Sequence, residues 1–261
     1  MSGPPVEDGV LRVRGAELPC RRFGSGPPLL MLHGGAGPTP QAPFLHALAA
    51  HFEIILPTHP WFYGSPPLSR VAGVDDLAYV YLDLIEDCGL DDLTVMGFSM
   101  GGWLALEMAT KSCARLRRLV LVDAVGVKFT DRETRQFPDI FAMPAERVGQ
   151  LMFHDPARMA PNLQSLSEEE LTAFVTNREA LVHYVWEPYL HNPRLLGRLH
   201  RVRVPVECIW GESDGLATPD YGRQLAAALP DARFHPIPQA GHAPQLEQPQ
   251  AFVATVLAAC R

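Results

Sequence analysis

The sequence predicts an α/β protein: a mostly parallel sheet with helices on both faces. Three observations carry that prediction. From about residue 29 onward, short all-apolar runs alternate with longer stretches of helical periodicity. The runs are nearly continuous in Leu, Val, Ile and Met, as strands buried on both faces require. The chain has 261 residues, 47% of them hydrophobic and 20% charged, enough for a large core in one α/β domain with an insertion.

The elements follow in order. The first residues read as frayed, and extended runs follow at 10–14 and 17–23. Gly24-Ser25-Gly26-Pro27-Pro28 makes a turn into a buried strand at 29–32. A helix is expected at 41–50, a strand at 53–56, and a helix at 74–88 closed by Gly89. Next come a strand at 93–96, a helix at 100–111 and a strand at 119–122. After a long interruption, a strand is expected at 206–210, a helix at 218–229, a short strand at 233–236 and a last helix at 248–259.

The interruption spans 125–204. It is helical in pattern, broken by Pro138, Pro144, Pro156, Pro161, Pro188 and Pro193, and rich in Phe, Tyr, Met and Trp. A connection this long exceeds an ordinary crossover. It reads as a helical lid over the carboxyl ends of the strands, where open α/β sheets bind ligands. Most of its large side chains are expected to form the lid's own core.

Composition narrows the partners. The net charge is −7, no Lys/Arg-rich run appears and Lys111 and Lys128 are the only lysines, so no nucleic-acid partner is expected. No apolar run reaches the roughly 18 residues that span a bilayer, so no membrane partner is expected. Residues 1–8 carry no basic or apolar leader. Five cysteines without framework spacing suggest reduced thiols and a cytoplasmic location. A small-molecule substrate is expected, and homo-oligomerisation stays open.

The chemistry concentrates at strand ends. Gly97-Phe98-Ser99-Met100-Gly101 joins the strand at 93–96 to the next helix. This is a G-x-S-x-G turn that presents Ser99 at a sharp bend, with glycines where side chains would collide with neighbouring chain. The Met100 N–H then sits at a helix start, aimed at developing negative charge. His33-Gly34-Gly35-Ala36-Gly37-Pro38 follows the first buried strand, and its glycines let backbone N–H groups approach a ligand. Gly35 is the expected donor beside Met100, while His33 reads as a prop for the loop. Neither a phosphate-loop Lys-Ser/Thr nor a G-x-G-x-x-G spacing is present, so a nucleotide site fits poorly.

Two further motifs complete the set. Asp214, in Trp210-Gly211-Glu212-Ser213-Asp214-Gly215, is the expected acid. Asp123, at the end of an earlier strand, competes for that role. Glu212 lies nearer the strand and is expected to point away. His242, in Gln239-Ala240-Gly241-His242-Ala243-Pro244, precedes the last helix and is the expected base. The order Ser99, Asp214, His242 differs from that of chymotrypsin and subtilisin.

With these four motifs the chain resembles the α/β-hydrolase fold superfamily over nearly its whole length. The resemblance implies an eight-stranded sheet, a helical cap at 125–204 after strand six, a core made of 1–124 and 205–261, and no cofactor or metal. It implies that Ser99 is the nucleophile, with Gly35 and Met100 as oxyanion donors. Serine at the elbow, where an aspartate would form an alkyl-enzyme, points to acyl transfer. The expected activity is hydrolysis of a small to medium apolar ester, thioester or lactone.

Two departures bear on substrate. Relatives often carry an acidic loop where this chain has Thr58-His59-Pro60-Trp61-Phe62-Tyr63-Gly64. Its aromatics read either as a pocket wall or as packing under the lid, with Trp61, Phe62, Phe141 and Trp186 as candidate pocket residues. His59 as a second base is a weaker reading. The His33–Pro38 loop is also similar to that of meta-cleavage product C–C hydrolases, but Ala243 stands where they usually have Trp after the histidine. A C–C hydrolase of vinylogous diketone acids, using Arg178 or Arg194 for the substrate carboxylate, is therefore the second reading. A non-catalytic binding protein is the third.

Overall fold

Each apolar run becomes a strand that covers both faces. The computed structural model describes residues 6–39, 41–160 and 163–261. Eight strands form one sheet in the order β1-β2-β4-β3-β5-β6-β7-β8. They are β1 (Val6–Val13), β2 (Ala16–Gly24), β3 (Pro28–Leu32), β4 (Glu53–Pro57), β5 (Leu93–Phe98), β6 (Leu116–Val122), β7 (Val206–Gly211) and β8 (Ala232–Ile237). β2 pairs antiparallel with both β1 and β4, and the strands from β4 to β8 run parallel. Across the centre, Leu30 lies opposite Val95, Val95 opposite Leu119, and Leu119 opposite Val206.

Alternate side chains of each strand feed separate cores. Leu30 and Leu32 face α2 (Val74–Asp87) and α3 (Met100–Lys111), packing with Leu77, Tyr81, Leu84 and Leu104. Leu29 and Met31 face α1 (Pro43–Leu48) and α9 (Pro249–Ala259), packing with Phe44, Leu45, Phe252 and Val256. This explains why β3 reads as an unbroken apolar run. α7 (Pro219–Ala228) lies against β7 and β8, and a single turn, α8 (Pro244–Glu247), precedes α9.

β1 begins four residues before the expected 10–14 and ends one residue sooner, the other strands gain one to three residues, and several helices are trimmed. α1 begins at Pro43 and ends at Leu48, four residues shorter than 41–50. The single turn of α8 was not expected at all. The frayed start and Pro161 lie outside the described residues.

Between β6 and β7 the chain forms α4 (Ala145–Met152), α5 (Pro156–Met159) and α6 (Glu168–Val185). Ser167 and Glu170 form a reciprocal capping box that starts α6. The ends of this insert are tied together. The Gly126 N–H donates to Leu190 O at 3.0 Å and the Asn192 N–H to Gly126 O at 2.9 Å. Asn192 also anchors the insert to α3, donating from Nδ2 to the buried Glu107 carboxylate at 2.7 Å. That carboxylate is further met by Trp103 Nε1 and Lys111 Nζ, so its burial is compensated. Among the described residues, no helix is long and apolar enough to cross a membrane.

The tightest backbone approach lies where β5 enters α3. A Cβ at Gly97 would collide with the Gly101 carbonyl oxygen, and one at Gly101 with that of Leu32. Backbone cannot retreat as a side chain can. Gly97→Ala is therefore expected to cost about 2 kcal/mol or more in urea unfolding. Gly197→Ala, where nothing lies within 4 Å of the added carbon, should stay within about 0.5 kcal/mol. Equal costs for the two variants would contradict this packing.

Candidate active site

The turn between β5 and α3 holds Ser99 in a conformation few residues adopt. Its φ is 51° and its ψ is −113°. Such a backbone persists only when its surroundings over-determine it. Here the Ser99 N–H donates to Val122 O at 2.9 Å, and the Ser99 carbonyl accepts from the N–H groups of Gly102 and Trp103. The side chain remains half-buried rather than sealed. Met100 is the first residue of α3, so its N–H has no carbonyl partner within the helix.

The loop after β3 lies against this turn. A Cβ at Gly34 would stand 3.3 Å from Ser99 Cβ and 3.1 Å from Phe98 O. Gly35 follows directly and is covered by the Leu181 side chain of α6. Behind the loop, the His59 N–H donates to His33 Nε2 at 2.9 Å, which leaves His33 Nδ1–H to donate to Gly34 O at 2.8 Å. His59 Nε2–H donates to His33 O at 3.1 Å, so its Nδ1 accepts from the Tyr81 hydroxyl at 2.5 Å. Both imidazoles are spoken for and neutral. Burial, slightly offset by the Gly34 carbonyl, holds His33 down to about 3. Burial and then the adjacent His33 push His59 well below its ordinary value. His33 thus props the loop, and His59 sits in the same support.

Ser99, Asp214 and His242 come together from three strand ends. His242 Nε2 lies 2.9 Å from Ser99 Oγ, and His242 Nδ1 lies 2.7 Å from Asp214 Oδ2. Asp214 Oδ1 accepts the N–H groups of Leu216 and Ala217 at 2.8 and 3.0 Å, which fixes the carboxylate plane. Asp214 and His242 are buried. Glu212 is exposed and points away. Asp123 is also drawn in, fully buried at the end of β6, with Oδ1 accepting the Gly211 N–H at 2.9 Å. Asp123, Asp214 and His242 each offer a metal-ligating atom, all within 4.8 Å of one another. Those of Asp214 and His242 are already engaged with each other and with Ser99, so a cation would have to displace that bonding.

Glu247 is a residue that the sequence motifs did not single out. Its buried carboxylate accepts the Gly241 N–H at 2.6 Å, and the N–H groups of His154 and Asp155 at 2.9 and 3.1 Å. The Met152 carbonyl accepts the His242 N–H at 2.6 Å, and the Leu151 carbonyl accepts the Gly215 N–H at 2.8 Å. The end of α4 therefore clasps both the Asp214 and the His242 loops. The available signal was an acid one turn downstream of His242, in a segment otherwise lacking charge.

The four candidate pocket residues divide. Trp61 is half-buried, with its ring centroid 3.7 Å from that of His183 on α6. Phe62 has no exposed surface and packs against the His33 and Tyr184 rings, so it fills the loop instead of lining an open cavity. Phe141 and Trp186 each meet the Tyr189 ring edge-to-face inside the insert, and Trp186 is 53% exposed. The reason is local: hydrophobicity signals that a ring will find a partner, not which one. Arg178 donates to Ile140 O at 3.0 Å and covers the Phe141 ring, while Arg194 is exposed. A cavity of about 370 Å³ beside the Asp214 loop is lined by residues including Arg135, Phe137, Leu216 and Tyr221, but not by Ser99 or His242.

This architecture has relatives. The family model described as "Alpha/beta hydrolase family" matches residues 29–255. The chain belongs to that family. The hydrolase is 26% identical to the 2-hydroxy-6-oxononadienedioate/2-hydroxy-6-oxononatrienedioate hydrolase of Cupriavidus pinatubonensis, covering 95% of this chain and 90% of the relative. It is 30% identical to the pimeloyl-acyl-carrier-protein methyl ester esterase of Aromatoleum aromaticum, covering 86% and 94%. Its fold is shared with an esterase from Rhodococcus sp. ECU1013, at a TM-score of 0.77 and 18% identity, with 97% of each chain covered. The eight-stranded, mostly parallel sheet that the resemblance implied is thus the fold of this hydrolase.

The neutral histidines behind the loop make a pH prediction. Their folded-state values lie below the unfolded value of 6.5, so the unfolded chain binds more protons in acid. Stability is full above about 6.5 and is lost as pH falls toward 3. Urea unfolding at pH 5 should show a loss on the order of 2 kcal/mol per buried imidazole relative to pH 7.5. A flat response across that interval would contradict the assignment.

Proposed function

We propose that this hydrolase cleaves a carboxylic ester, thioester or lactone through an acyl-enzyme formed on Ser99. The observation that carries the reading is the hydrogen-bonded line from Asp214 through His242 to Ser99, at 2.7 and 2.9 Å, with the serine at a strained turn. Ser99 Oγ attacks the carbonyl carbon while its proton passes to His242 Nε2. Asp214 holds the imidazole tautomer and stabilises the imidazolium. The N–H groups of Gly35 and Met100 receive the oxyanion, each worth about 3–4 kcal/mol in comparable sites. The tetrahedral intermediate expels the alcohol or thiol, which takes the proton from His242. Water then attacks the acyl-enzyme with His242 as base again.

Residues 125–204 act in this reading as a helical cap. Its support is contact with every loop around Ser99. Asn177 on α6 donates to Ala36 O and accepts from the Tyr63 N–H, at 3.0 and 2.8 Å. Tyr184 donates to Pro60 O at 3.1 Å, and Leu181 covers Gly35. An apolar side chain over an oxyanion donor suits a small or medium apolar acyl group. The free thiols support a reducing compartment such as the cytoplasm.

The C–C hydrolase reading needs a cation for the substrate carboxylate. Arg178 is engaged with Ile140 O and the Phe141 ring, which favours the ester reading. Fluorophosphonate labelling followed by assays on short-chain aryl esters and on a ring-fission diketone tests the choice. The wild type should label and turn over the esters, and Ser99→Ala should lose labelling and at least about 10⁴-fold in kcat. Fast diketone cleavage with negligible ester turnover would overturn the ester assignment, and absence of labelling would remove the serine mechanism.

A further inference from the structure

Asp123 is a buried acid without a task in the mechanism above. It lies at the end of β6 with no exposed surface and a φ of 44°, in the left-handed region that aspartate enters more readily than most residues. Its two oxygens differ. Oδ1 accepts the Gly211 N–H, whereas Oδ2 is buried and has no hydrogen-bond partner among the described residues. An ionised oxygen left so would carry the full cost of desolvation. Two carboxylates face the group. Asp214 comes from the loop after β7, and Glu247 from α8, where its own charge is held by three backbone N–H groups. His242, the remaining titratable group of the cluster, is bonded to Asp214 and Ser99.

The accounting at Asp214 supplies the partner. A carboxylate offers about four acceptor sites. Leu216, Ala217 and His242 fill three of them at Asp214. One site is left on Asp214, and one oxygen is left over on Asp123, in a cluster whose ligating atoms lie within 4.8 Å. A proton on Asp123 Oδ2 satisfies both.

Resting on the Ser99–His242–Asp214 reading, we propose that Asp123 is a positioning residue that stays protonated and donates a hydrogen bond from Oδ2 to the Asp214 carboxylate. Burial first, and then the charge of Asp214, hold its carboxyl well above the usual carboxylate range. The neutral acid spreads the Asp214 charge and so sets how readily His242 takes up a proton. Asp123 therefore backs the triad acid without substituting for it.

The test compares Asp123→Asn and Asp123→Ala in the full-length protein. Asparagine keeps both bonds, with its oxygen accepting the Gly211 N–H and its amide donating to Asp214. The acid limb of its kcat/KM–pH profile should match the wild type within about 0.2 unit. Alanine leaves Asp214 more basic, so the limb should move up by about half a unit or more. Limbs moving down in both variants would mean that Asp123 is ionised. A fall in kcat with the alanine limb unmoved would mean that its role is structural only. Either result overturns the proposal. If the alanine variant does not fold, infrared difference spectra decide: the wild type should show a protonated-carboxyl band at neutral pH that Asp123→Asn lacks, and absence of that band overturns the proposal. Fluorophosphonate labelling of the same samples separates this from failure of the triad reading, because a wild type that does not label at Ser99 fails at that earlier step.

Discussion

The site depends first on how closely three pieces of backbone approach one another at the carboxyl end of β5. The glycines at 97 and 101 remove the side chains that would keep the strand end, the α3 start and the end of β3 apart. Because β3 and β5 are hydrogen-bonded neighbours, the loop after β3 emerges beside the turn that carries Ser99. The backbone at Gly34 thereby lies directly against Phe98 and Ser99. Loosening this contact would relax the strained serine and part it from the loop after β3 together, so one constraint sets both.

Support comes in two layers of opposite character. Under the Gly35 loop, His33, His59 and Tyr81 form a closed hydrogen-bond network in which every ring nitrogen has a partner. Such a network rigidifies because no member can rotate without orphaning another. Over the loop, the contacts are mixed: an amide from Asn177, a hydroxyl from Tyr184 and the apolar Leu181. The floor is thus built for fixity, whereas the roof is a helix resting on a few contacts.

Local periodicity made most of the sheet legible. β3, β5 and β7 are apolar without interruption because both faces are buried, and the helix at Met100–Lys111 follows from the small residues on the turn side. α8 was not legible, since a single turn has no period to read and is held here by the bonds of Glu247. Ser99, Asp214 and His242 were legible as residues at strand ends, with Asp214 expected ahead of Asp123, but the place Asp123 takes beside them was not. Both are acids after buried strands, and the three-dimensional arrangement sets Asp214 on His242 and shows that Asp123 binds the Gly211 N–H instead. Phe62 and Trp186 show the same limit for packing. Their size predicts contact, yet one is sealed against histidine and tyrosine and the other is half open to solvent.

The clasp between the end of α4 and the histidine loop bears on how such proteins diversify. Loops and inserts carried on a rigid sheet are the segments that vary most among related proteins. Here the insert also contributes the Met152 carbonyl and two N–H groups that seat the His242 loop. Gly241 is pressed so close to Met152 and Phe153 that no larger residue fits. The insert is therefore not an interchangeable cassette. A graft from another family member would have to reproduce one turn of backbone at 151–155 before any of its new side chains could matter.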